Sequence, residues 1–355
     1  MSMADITVYD VAKKAKVSIA TVSRVLNSSG KVNEATRKRV LSAIDALGFV
    51  PKAEAVARAR KASGRIGVLA PFFTYPSFVE RLQGVASSLI DSPYELVVYN
   101  VDSSARRDTY LSSLAVTRRL DGLIVMALPF DDVMARRLIA HKLETVLIEA
   151  GRPEFSSIEI DDEAGGRIAA EYLLEKGHRR CAFVGDKDLP DYAIHPSEWR
   201  LAGYRKALQG AGVPLTDDYI ALAPHGLESA RQLTHRLLDL PEPPTAIFAP
   251  SDLQAMGILK AARERGLSVP DQLAIIGFDD LEMSDYIGLT TVRQPLKESG
   301  RVAVELLLNH IRTPERAPIK SVVGVSLIER DSVCPPRSEE AVKHGLAPVL
   351  PEALV

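Results

Sequence analysis

Cysteine is scarce in this 355-residue chain, and long apolar runs are missing altogether. The two cysteines, Cys181 and Cys334, lie far apart and form no metal-binding or redox spacing, which predicts a reduced compartment. No stretch reaches the roughly 18 consecutive apolar residues of a membrane span, and the charged N-terminus lacks the apolar core of a signal peptide. These absences predict a cytoplasmic protein that has no membrane partner.

The sequence also lacks the short motifs of common α/β enzymes. The patterns G-x-G-x-x-G, G-x-x-x-x-G-K-[ST] and G-x-S-x-G do not occur, so a nucleotide-cofactor enzyme or a serine hydrolase is not predicted. Asp131-Asp132 lies in a predicted loop, and Asp161-Asp162 has the pattern of a helix cap rather than a metal site. We therefore expect no enzyme activity, no catalytic residues, no metal and no cofactor.

Charge of one sign is concentrated at the N-terminus. Residues 1–61 contain 12 Lys and Arg against 5 Asp and Glu, a surplus of +7, whereas the remainder contains 32 against 41, a balance of −9. A small basic segment on an acidic body suggests that this segment contacts a polyanion, although solvated basic faces are common.

The first 48 residues predict three short helices. In VYDVAKKA apolar residues recur at i, i+3, i+4 and i+7, and in VSIATVSRVLN a second apolar stripe comprises Val22, Val25 and Leu26. Asn33 is the expected N-cap of a third helix, and Gly48 its C-terminal cap. Two short helices joined by a tight turn and closed by a third form a helix-turn-helix, whose second helix enters the DNA major groove.

The outward face of the second helix carries apolar residues beside a cation. Ile19 and Ala20 could contact thymine methyl groups, and Arg24 could bond O6 and N7 of guanine. The alternative is that Ile19 packs beneath a loop.

After Pro51, the segment KAEAVARARKASG predicts a marginal helix that would order only on a partner.

From Arg65 onward, short apolar runs alternate with helical stretches. The runs are RIGVLAP, YELVVYNV, DGLIVMAL and ETVLIEA, and the alternation restarts near residue 163 with HRRCAFVG, YIALAP, PTAIFAP and LAIIGFDD. Nearly continuous apolar strands between helices predict parallel sheets covered on both faces. We expect an α/β protein with a small all-α head and two doubly wound subdomains, and ligands in such folds bind beyond the carboxyl ends of the strands.

The head segment TVYDVAKKAKVSIATVSRVLNSSGKVNEATRKRVLSAIDALGFVP closely resembles the DNA-binding head of the LacI/GalR family of transcriptional regulators. The resemblance continues to about residue 330 through IGVLAP, LDGLIVM, IDDEAGGRIAAEYLLEKGHRR, RLAGYRKAL, PTAIFAPSDLQAMGIL and IIGFDD. It implies a helix-turn-helix domain, a hinge helix and a core like the type I periplasmic binding proteins. The implied domains are 1–50 (helix-turn-helix), 51–63 (hinge), 64–162 with 291–323 (first core subdomain), 163–290 with 324–332 (second core subdomain) and 333–355 (tail).

The resemblance implies a homodimeric repressor of carbohydrate-metabolism genes. It would bind a pseudo-palindromic operator in double-stranded DNA and be controlled allosterically by a sugar-like effector in the cleft between its core subdomains. The alternative is a nucleobase, a nucleoside or a partner protein as effector; Glu149 favours a sugar, since a polyol presents donors to a carboxylate. The tail lacks a leucine heptad, which favours a dimer over a tetramer.

The resemblance also assigns individual residues to each site. The implied DNA contacts are Val8, Tyr9, Ile19, Ala20, Thr21, Ser23, Arg24, Asn27, Lys31, Ala55 and Arg58. The implied effector contacts are Phe73, Phe78, Glu149, Arg200, His225, Ser251 and Asp279. Without the resemblance, Arg200 and Asp279 would be interpreted as a structural ion pair. Trp199 is expected to pack in the core rather than stack on a ligand.

Three positions depart from the family pattern. Lys16 stands where the turn before the second helix usually has Gly, and a positive φ there would cost Lys about 1 kcal/mol. Arg58 stands where many members have a Leu that wedges between base pairs, and an Arg could instead enter a narrow minor groove electrostatically. Ser251 stands where Asn or Asp is usual, so the effector chemistry need not follow the best-known members.

Overall fold

The structure is a computed structural model that describes residues 6–26, 32–49, 63–314 and 316–336. The chain forms two compact units. The first contains Met1–Glu159, Pro190–Ile194 and Leu296–Val323, and the second contains Ile160–Leu189, His195–Pro295 and Gly324–Val355.

The predicted helical head is present at the start of the first unit, and we refer to its three helices together as the head. They are α1 (Val8–Ala15), α2 (Ile19–Leu26) and α3 (Glu34–Leu47). Their caps are local: Asn33 Oδ1 accepts a hydrogen bond from Thr36 N at 2.8 Å, and Gly48 ends α3 with φ of 61°. Val22, Val40 and Ile44 are fully buried, so the apolar stripes of the sequence form one small core.

The rest of the first unit is a six-stranded sheet with helices on its faces. Its elements are β1 (Arg65–Ala70), α4 (Pro76–Leu89), β2 (Glu95–Asn100), α5 (Ser104–Thr117), β3 (Gly122–Met126), α6 (Asp132–Ala140), β4 (Glu144–Ile148), β5 (Ser156–Ile160), α12 (Leu296–Arg312) and β11 (Lys320–Val323). The strand order is β11-β5-β4-β3-β1-β2, and β1 to β5 pair in parallel. All five residues of β3 are buried, as expected for a strand covered on both faces.

The second unit repeats this architecture. Its elements are α7 (Asp162–Glu175), β6 (Cys181–Asp186), α8 (Pro196–Gly210), a 3₁₀ turn (Asp217–Tyr219), β7 (Ile220–Ala223), α9 (Leu227–Leu238), β8 (Ala246–Phe248), α10 (Asp252–Glu264), β9 (Ala274–Asp279), α11 (Glu282–Tyr286), β10 (Thr290–Arg293) and β12 (Ser326–Ile328). The strand order is β12-β10-β9-β8-β6-β7. The predicted parallel pairing holds for β6 to β10, whereas β12 pairs antiparallel with β10.

The units differ from the domain division expected from the sequence: the first unit ends at Glu159 rather than 162, the second extends to Pro295 rather than 290, and one short segment changes unit. Pro190–Ile194 belongs to the first unit, although the surrounding residues belong to the second. Ile194 N donates to Ala127 O at 2.9 Å, and the Tyr192 ring lies 6.1 Å from that of Phe72. These contacts with residues more than 60 positions away determine where this short segment belongs.

The described residues contain neither a membrane-spanning helix nor a cluster of metal ligands. Within 6–26, 32–49, 63–314 and 316–336, no helix is long and apolar enough to cross a membrane. In the same ranges, no group of three or more His, Cys, Asp and Glu side chains is arranged to hold a metal ion.

Candidate DNA interface and effector site

The outward face of α2 is exposed, as a DNA-reading face requires. Ile19 is 40% exposed, and Ala20, Ser23 and Arg24 are also exposed, while Val22 and Val25 are buried against the rest of the head. Within the described residues, Ile19 is therefore not covered by a loop. The helix presents two small apolar groups and one guanidinium, which suits thymine methyls and a guanine edge.

Three further residues assigned as DNA contacts lie in the described part of the head beside this face. Tyr9 of α1 is 68% exposed, whereas Val8 is half-buried. Thr21 is half-buried, and its Oγ1 lies 2.9 Å from Ser18 Oγ. The assignments of Asn27, Lys31, Ala55 and Arg58 lie outside the described residues and stay predictions.

The turn between α1 and α2 contains the strained residue that the sequence suggested. Lys16 has φ of 53° and ψ of 50°, in the left-handed region. Val17 N donates to Ala12 O at 3.0 Å, which is the 6→1 hydrogen bond of a Schellman motif. The motif ends α1 sharply and allows α2 to begin at Ile19, so the backbone conformation of Lys16 helps to determine the direction of α2.

In the first unit, Glu149 follows β4 and contacts a buried cation. Arg81 Nη2 donates to Glu149 Oε1, and these side chains are only 2% and 6% exposed. The Arg81 guanidinium also lies 5.8 Å from the ring centroid of Phe78. The sequence analysis missed Arg81, although its position three residues after Phe78 and four before Val85 places an Arg on the apolar face of α4.

Aromatic rings lie close to the loop after β1. Phe72 stacks on Tyr75 with a centroid separation of 5.1 Å, and Phe73 is half-buried. Phe78 is 8% exposed and belongs to the apolar core of the first unit, and its assignment as an effector contact stays a prediction. Phe72, which packs edge-on against Phe78 at 6.3 Å, is the more accessible ring.

In the second unit, Arg200 lies among backbone and carboxylate oxygens at the strand ends. Its Nε donates to Asp162 Oδ1 at 2.8 Å, its Nη1 donates to Pro250 O at 2.6 Å, and Nη1 lies 3.9 Å from Asp279 Oδ1. Its Cζ lies 3.6 Å from the ring centroid of Phe278. Arg200 therefore forms a close buried ion pair with Asp162, and its contact with Asp279, the pair of the structural interpretation, is longer.

The position of Arg200 depends on a close approach between α7 and α8. A Cβ added to Gly166 of α7 would lie 1.9 Å from the carbonyl oxygen of Arg200. A side chain at residue 166 would therefore push the two helices apart. The absence of a side chain at residue 166 brings Arg200 within reach of Asp162.

Asp279 ends β9 in an uncommon backbone conformation, with φ of 119°. Its side chain is buried, and Gln294 Nε2 donates to its Oδ1. Gln294, which follows β10, is a candidate site residue that the sequence analysis missed. These residues bring an amide, a carboxylate and the Arg200 guanidinium together at neighbouring strand ends of one sheet.

A hydrogen-bond network joins the remaining predicted residues of the second unit. Ser251 caps α10 by accepting from Gln254 N at 3.2 Å, and Ser251 Oγ donates to Gln254 Oε1 at 2.8 Å. Gln254 Nε2 donates to Asp186 Oδ1 at 2.9 Å, and His225 Nδ1 lies 3.0 Å from the same oxygen. The sequence analysis missed Asp186 and Gln254, which connect Ser251 to His225.

Asp252, beside this network, has a structural role. Its carboxylate is 1% exposed and accepts from Leu281 N at 2.8 Å and from the hydroxyls of Ser284 and Thr291 at 2.6 Å each. Burial, and next the charge of Asp279, raise the pKa of Asp252 to about 7, while the three hydrogen bonds oppose this rise. Asp252 thereby attaches the loop after β9 to α10.

Trp199 differs from the sequence expectation. It was expected in the core, but it is 50% exposed on α8, next to Arg200. The reason is helical geometry: Arg200 and Tyr204, four residues apart, occupy the buried face, so residue 199 faces away from it.

The chemistry of these strand ends favours a ligand rich in hydrogen-bond donors. Asp162, Asp186 and Asp279 are carboxylates. The buried cation Arg200 pairs with Asp162 and Asp279, whereas Asp186 contacts His225 and Gln254. Ionised oxygens form strong hydrogen bonds with hydroxyl and amine donors. The second unit therefore suits a polyol better than an anion.

Comparison with known proteins identifies the two kinds of domain in this chain. Residues 7–52 match the family model of bacterial regulatory proteins of the lacI family, and residues 170–333 match that of the periplasmic binding protein-like domain. The HTH-type transcriptional repressor CytR of Escherichia coli K12 is 33% identical over 331 residues, covering 92% of this chain and 96% of that protein.

Two solved structures are also similar. The complex of the transcriptional regulator CelR with cellobiose has a TM-score of 0.67 at 29% identity, covering 92% of this chain and 99% of that one. The lac repressor dimer bound to operator and the anti-inducer ONPF has a TM-score of 0.67 at 28% identity, covering 93% and 100%. These likenesses confirm the predicted fold class, the DNA-binding regulator and its two classes of partner, DNA and a small ligand. The chain belongs to the LacI family of bacterial transcriptional regulators.

Proposed function

We propose that this regulator is a homodimeric repressor that reads a pseudo-palindromic operator and controls carbohydrate-metabolism genes. The observation that carries the proposal is the exposed face of α2, where Ile19, Ala20 and Arg24 face outward from a closed helical core. The proposed site of action is the cytoplasm, where chromosomal DNA lies, and the proposed activity is binding rather than catalysis. Residues 51–63, of which only Ser63 lies in the described ranges, are proposed to join the head to the core.

Arg24→Ala tests the assignment of DNA contacts. A bidentate contact to guanine is worth about 1–3 kcal/mol, so the variant should lose roughly 5- to 150-fold in operator affinity. It should also lose its preference at one base pair in each half-site. Tyr9→Phe is the comparison, since loss of a phosphate-contacting hydroxyl should weaken binding to all sequences alike.

Titrations against a set of operator variants distinguish these outcomes. If Arg24→Ala weakens binding equally at every base, Arg24 contacts phosphate and the reading face is assigned wrongly. A second measurement is the salt dependence: with about 6–10 phosphates neutralised, the logarithmic slope should be about −5 to −9. A nearly flat slope would contradict a DNA-binding role of the basic head.

We further propose that the effector is a sugar or a close derivative, bonded by Arg200 and Asp279 in the second unit. Support comes from the donor-seeking carboxylates there and from the relative CelR, which is seen with cellobiose. Glu149, Phe73, Phe78, His225 and Ser251 stay proposed contacts. Arg200 and Asp279 are buried and would bond hydroxyls in a low-dielectric setting, where charge-assisted hydrogen bonds are strong.

Asp279→Asn tests the effector proposal. The variant keeps the shape of the side chain and removes its charge, so we expect the response to sugars to fall at least tenfold while ligand-free operator affinity stays within several-fold. Glu242→Gln removes an exposed charge of the same sign and is the matched control. Sugars and nucleosides should be titrated in parallel: an unchanged sugar response in Asp279→Asn contradicts the assigned site, and a response to nucleosides alone contradicts the sugar class.

A further inference from the structure

Asp45 of the head forms an ionic contact with the sheet portion of the first unit. Its Oδ2 accepts from Arg137 Nε at 3.1 Å and from Arg137 Nη2, and its Oδ1 lies 3.0 Å from His141 Nε2. Arg137 lies on α6, and His141 caps the end of the same helix. The Asp45 side chain is 33% exposed, and those of Arg137 and His141 are 11% and 14% exposed, so the contact is partly shielded from water.

An apolar contact at the same face is independent of this ion pair. Val116 of α5 is 1% exposed and belongs to the apolar cluster formed by head residues, which include Val22, Val25 and Phe49. Burial of a whole valine side chain is worth about 1.5–3 kcal/mol relative to exposure. The head is therefore docked through both an apolar and a charged contact.

Asp45 is poorly suited to an isolated head. It lies in the last turn of α3, and that turn contains no basic residue. A carboxylate there meets the negative end of the helix dipole, which is unfavourable. Hydrogen bonds and charge from His141 and Arg137 outweigh the desolvation of Asp45 and lower its pKa. Asp45 thus gains its stabilising partners only when the head is docked.

We propose that Asp45, Arg137, His141 and Val116 form an interface that holds the head on the first unit in the orientation in which it reads DNA. Ile19, Ala20 and Arg24 are exposed in this docked arrangement, so DNA can bind without undocking the head. The proposed interface is a second connection between core and head, in addition to the hinge. It rests on the DNA-binding role of the head, which Arg24→Ala tests separately.

The sign of the effect of Asp45→Ala on operator affinity distinguishes docking from simple charge. Removal of a negative charge near DNA should strengthen binding if only long-range electrostatics act. Loss of the docking contact should instead weaken it by about three- to tenfold, the range expected for a partly buried ion pair. Misfolding is not expected, because Asp45→Ala removes an unfavourable helix C-terminal charge.

A double-mutant cycle in the full-length dimer completes the test. Arg137→Ala should weaken operator binding to the same extent, and Arg136→Ala, an equal charge change on an exposed neighbour, should have a smaller effect. Asp45→Ala combined with Arg137→Ala should be no weaker than either single variant, and the reversed pair Asp45→Arg with Arg137→Asp should recover part of the affinity. Additive losses, or stronger binding by Asp45→Ala, would overturn the proposal.

Head rotation supplies a readout that does not involve DNA. A dye attached to Lys38→Cys, in a Cys334→Ser background, reports the rotation of α3 through its anisotropy decay. The parent protein should show the slow rotation of the whole particle, and Asp45→Ala should add a fast component of head size. A dominant fast component already present in the parent would refute a docked head.

Discussion

Arg200→Met should destabilise the second unit strongly, because it removes the cation from between buried carboxylates. Arg200 and Asp162 side chains are 7% and 5% exposed, and Asp279 lies 3.9 Å from the same guanidinium. Removing one partner of a buried ion pair costs about 3–5 kcal/mol, because the remaining charge is left in a medium that solvates it poorly. Methionine fills much of the vacated volume above Phe278, so the loss of charge, rather than a cavity, should dominate.

The expected change is large enough to measure by calorimetry or urea unfolding. For a unit of this size 1 kcal/mol corresponds to about 2–4 °C in melting temperature, so we expect a decrease of about 6–20 °C. Arg167→Met is the matched control: the Arg167–Glu171 pair is 2.8 Å long, but its side chains are 50% and 54% exposed. That substitution should change the free energy of unfolding by no more than about 0.5 kcal/mol.

A second variant separates charge from packing. Arg200→Met combined with Asp162→Asn should recover part of the loss, since the amide no longer carries the buried charge. If Arg200→Met cost less than about 1 kcal/mol, or if the double variant were as unstable as the sum of the two singles, the buried-ion-pair argument would be refuted.

Three further predictions concern backbone and thiol chemistry. Gly166→Ala should destabilise the second unit by about 1–3 kcal/mol in thermal unfolding, because its Cβ would lie 1.9 Å from the carbonyl oxygen of Arg200; an unchanged melting temperature would disprove the close packing. Burial raises the pKa of Cys181 to about 11. A thiol reagent at about pH 8 should therefore react only with Cys334 in the folded protein and with both thiols in denaturant. Two rapidly reacting thiols in the native state would contradict this expectation. Lys16→Gly should stabilise the head by about 0.5–1 kcal/mol by relieving the left-handed backbone at φ of 53°, and denaturant unfolding that showed a loss of stability would count against strain at this turn.

Much of the fold follows from local features of the sequence. The caps at Asn33 and Gly48, and the apolar spacing in α1 to α3, act within a few residues, so the helical head could be predicted from the sequence alone. The eight apolar runs named from the sequence are all strands. Six of them are largely buried, and a strand buried on both faces needs apolar residues throughout, whereas β2 and β7 lie at sheet edges and are only partly buried. The short strands β5, β10, β11 and β12 were not singled out, since their sequences lack such runs.

The candidate sites also contain features that follow from local sequence and features that depend on long-range contacts. The exposed face of α2 followed from helical periodicity, and the strand-end positions of Glu149 and Asp279 followed from parallel-sheet topology. The partners of these residues did not follow, because they are distant in sequence: Arg81 is 68 residues from Glu149, and Gln254 is 68 from Asp186.

The sequence by itself thus determined the helices, the buried strands and the direction in which α2 faces, since these depend on interactions within a few residues. Only the tertiary structure decided which charges meet. It buried Phe78, exposed Trp199 and placed Arg137 against Asp45 of the head, 92 residues earlier. Such contacts depend on how helices pack across a sheet, and closely packed glycines and long-range ion pairs determine that packing. The periodicity of the sequence carries no information about which distant residues meet.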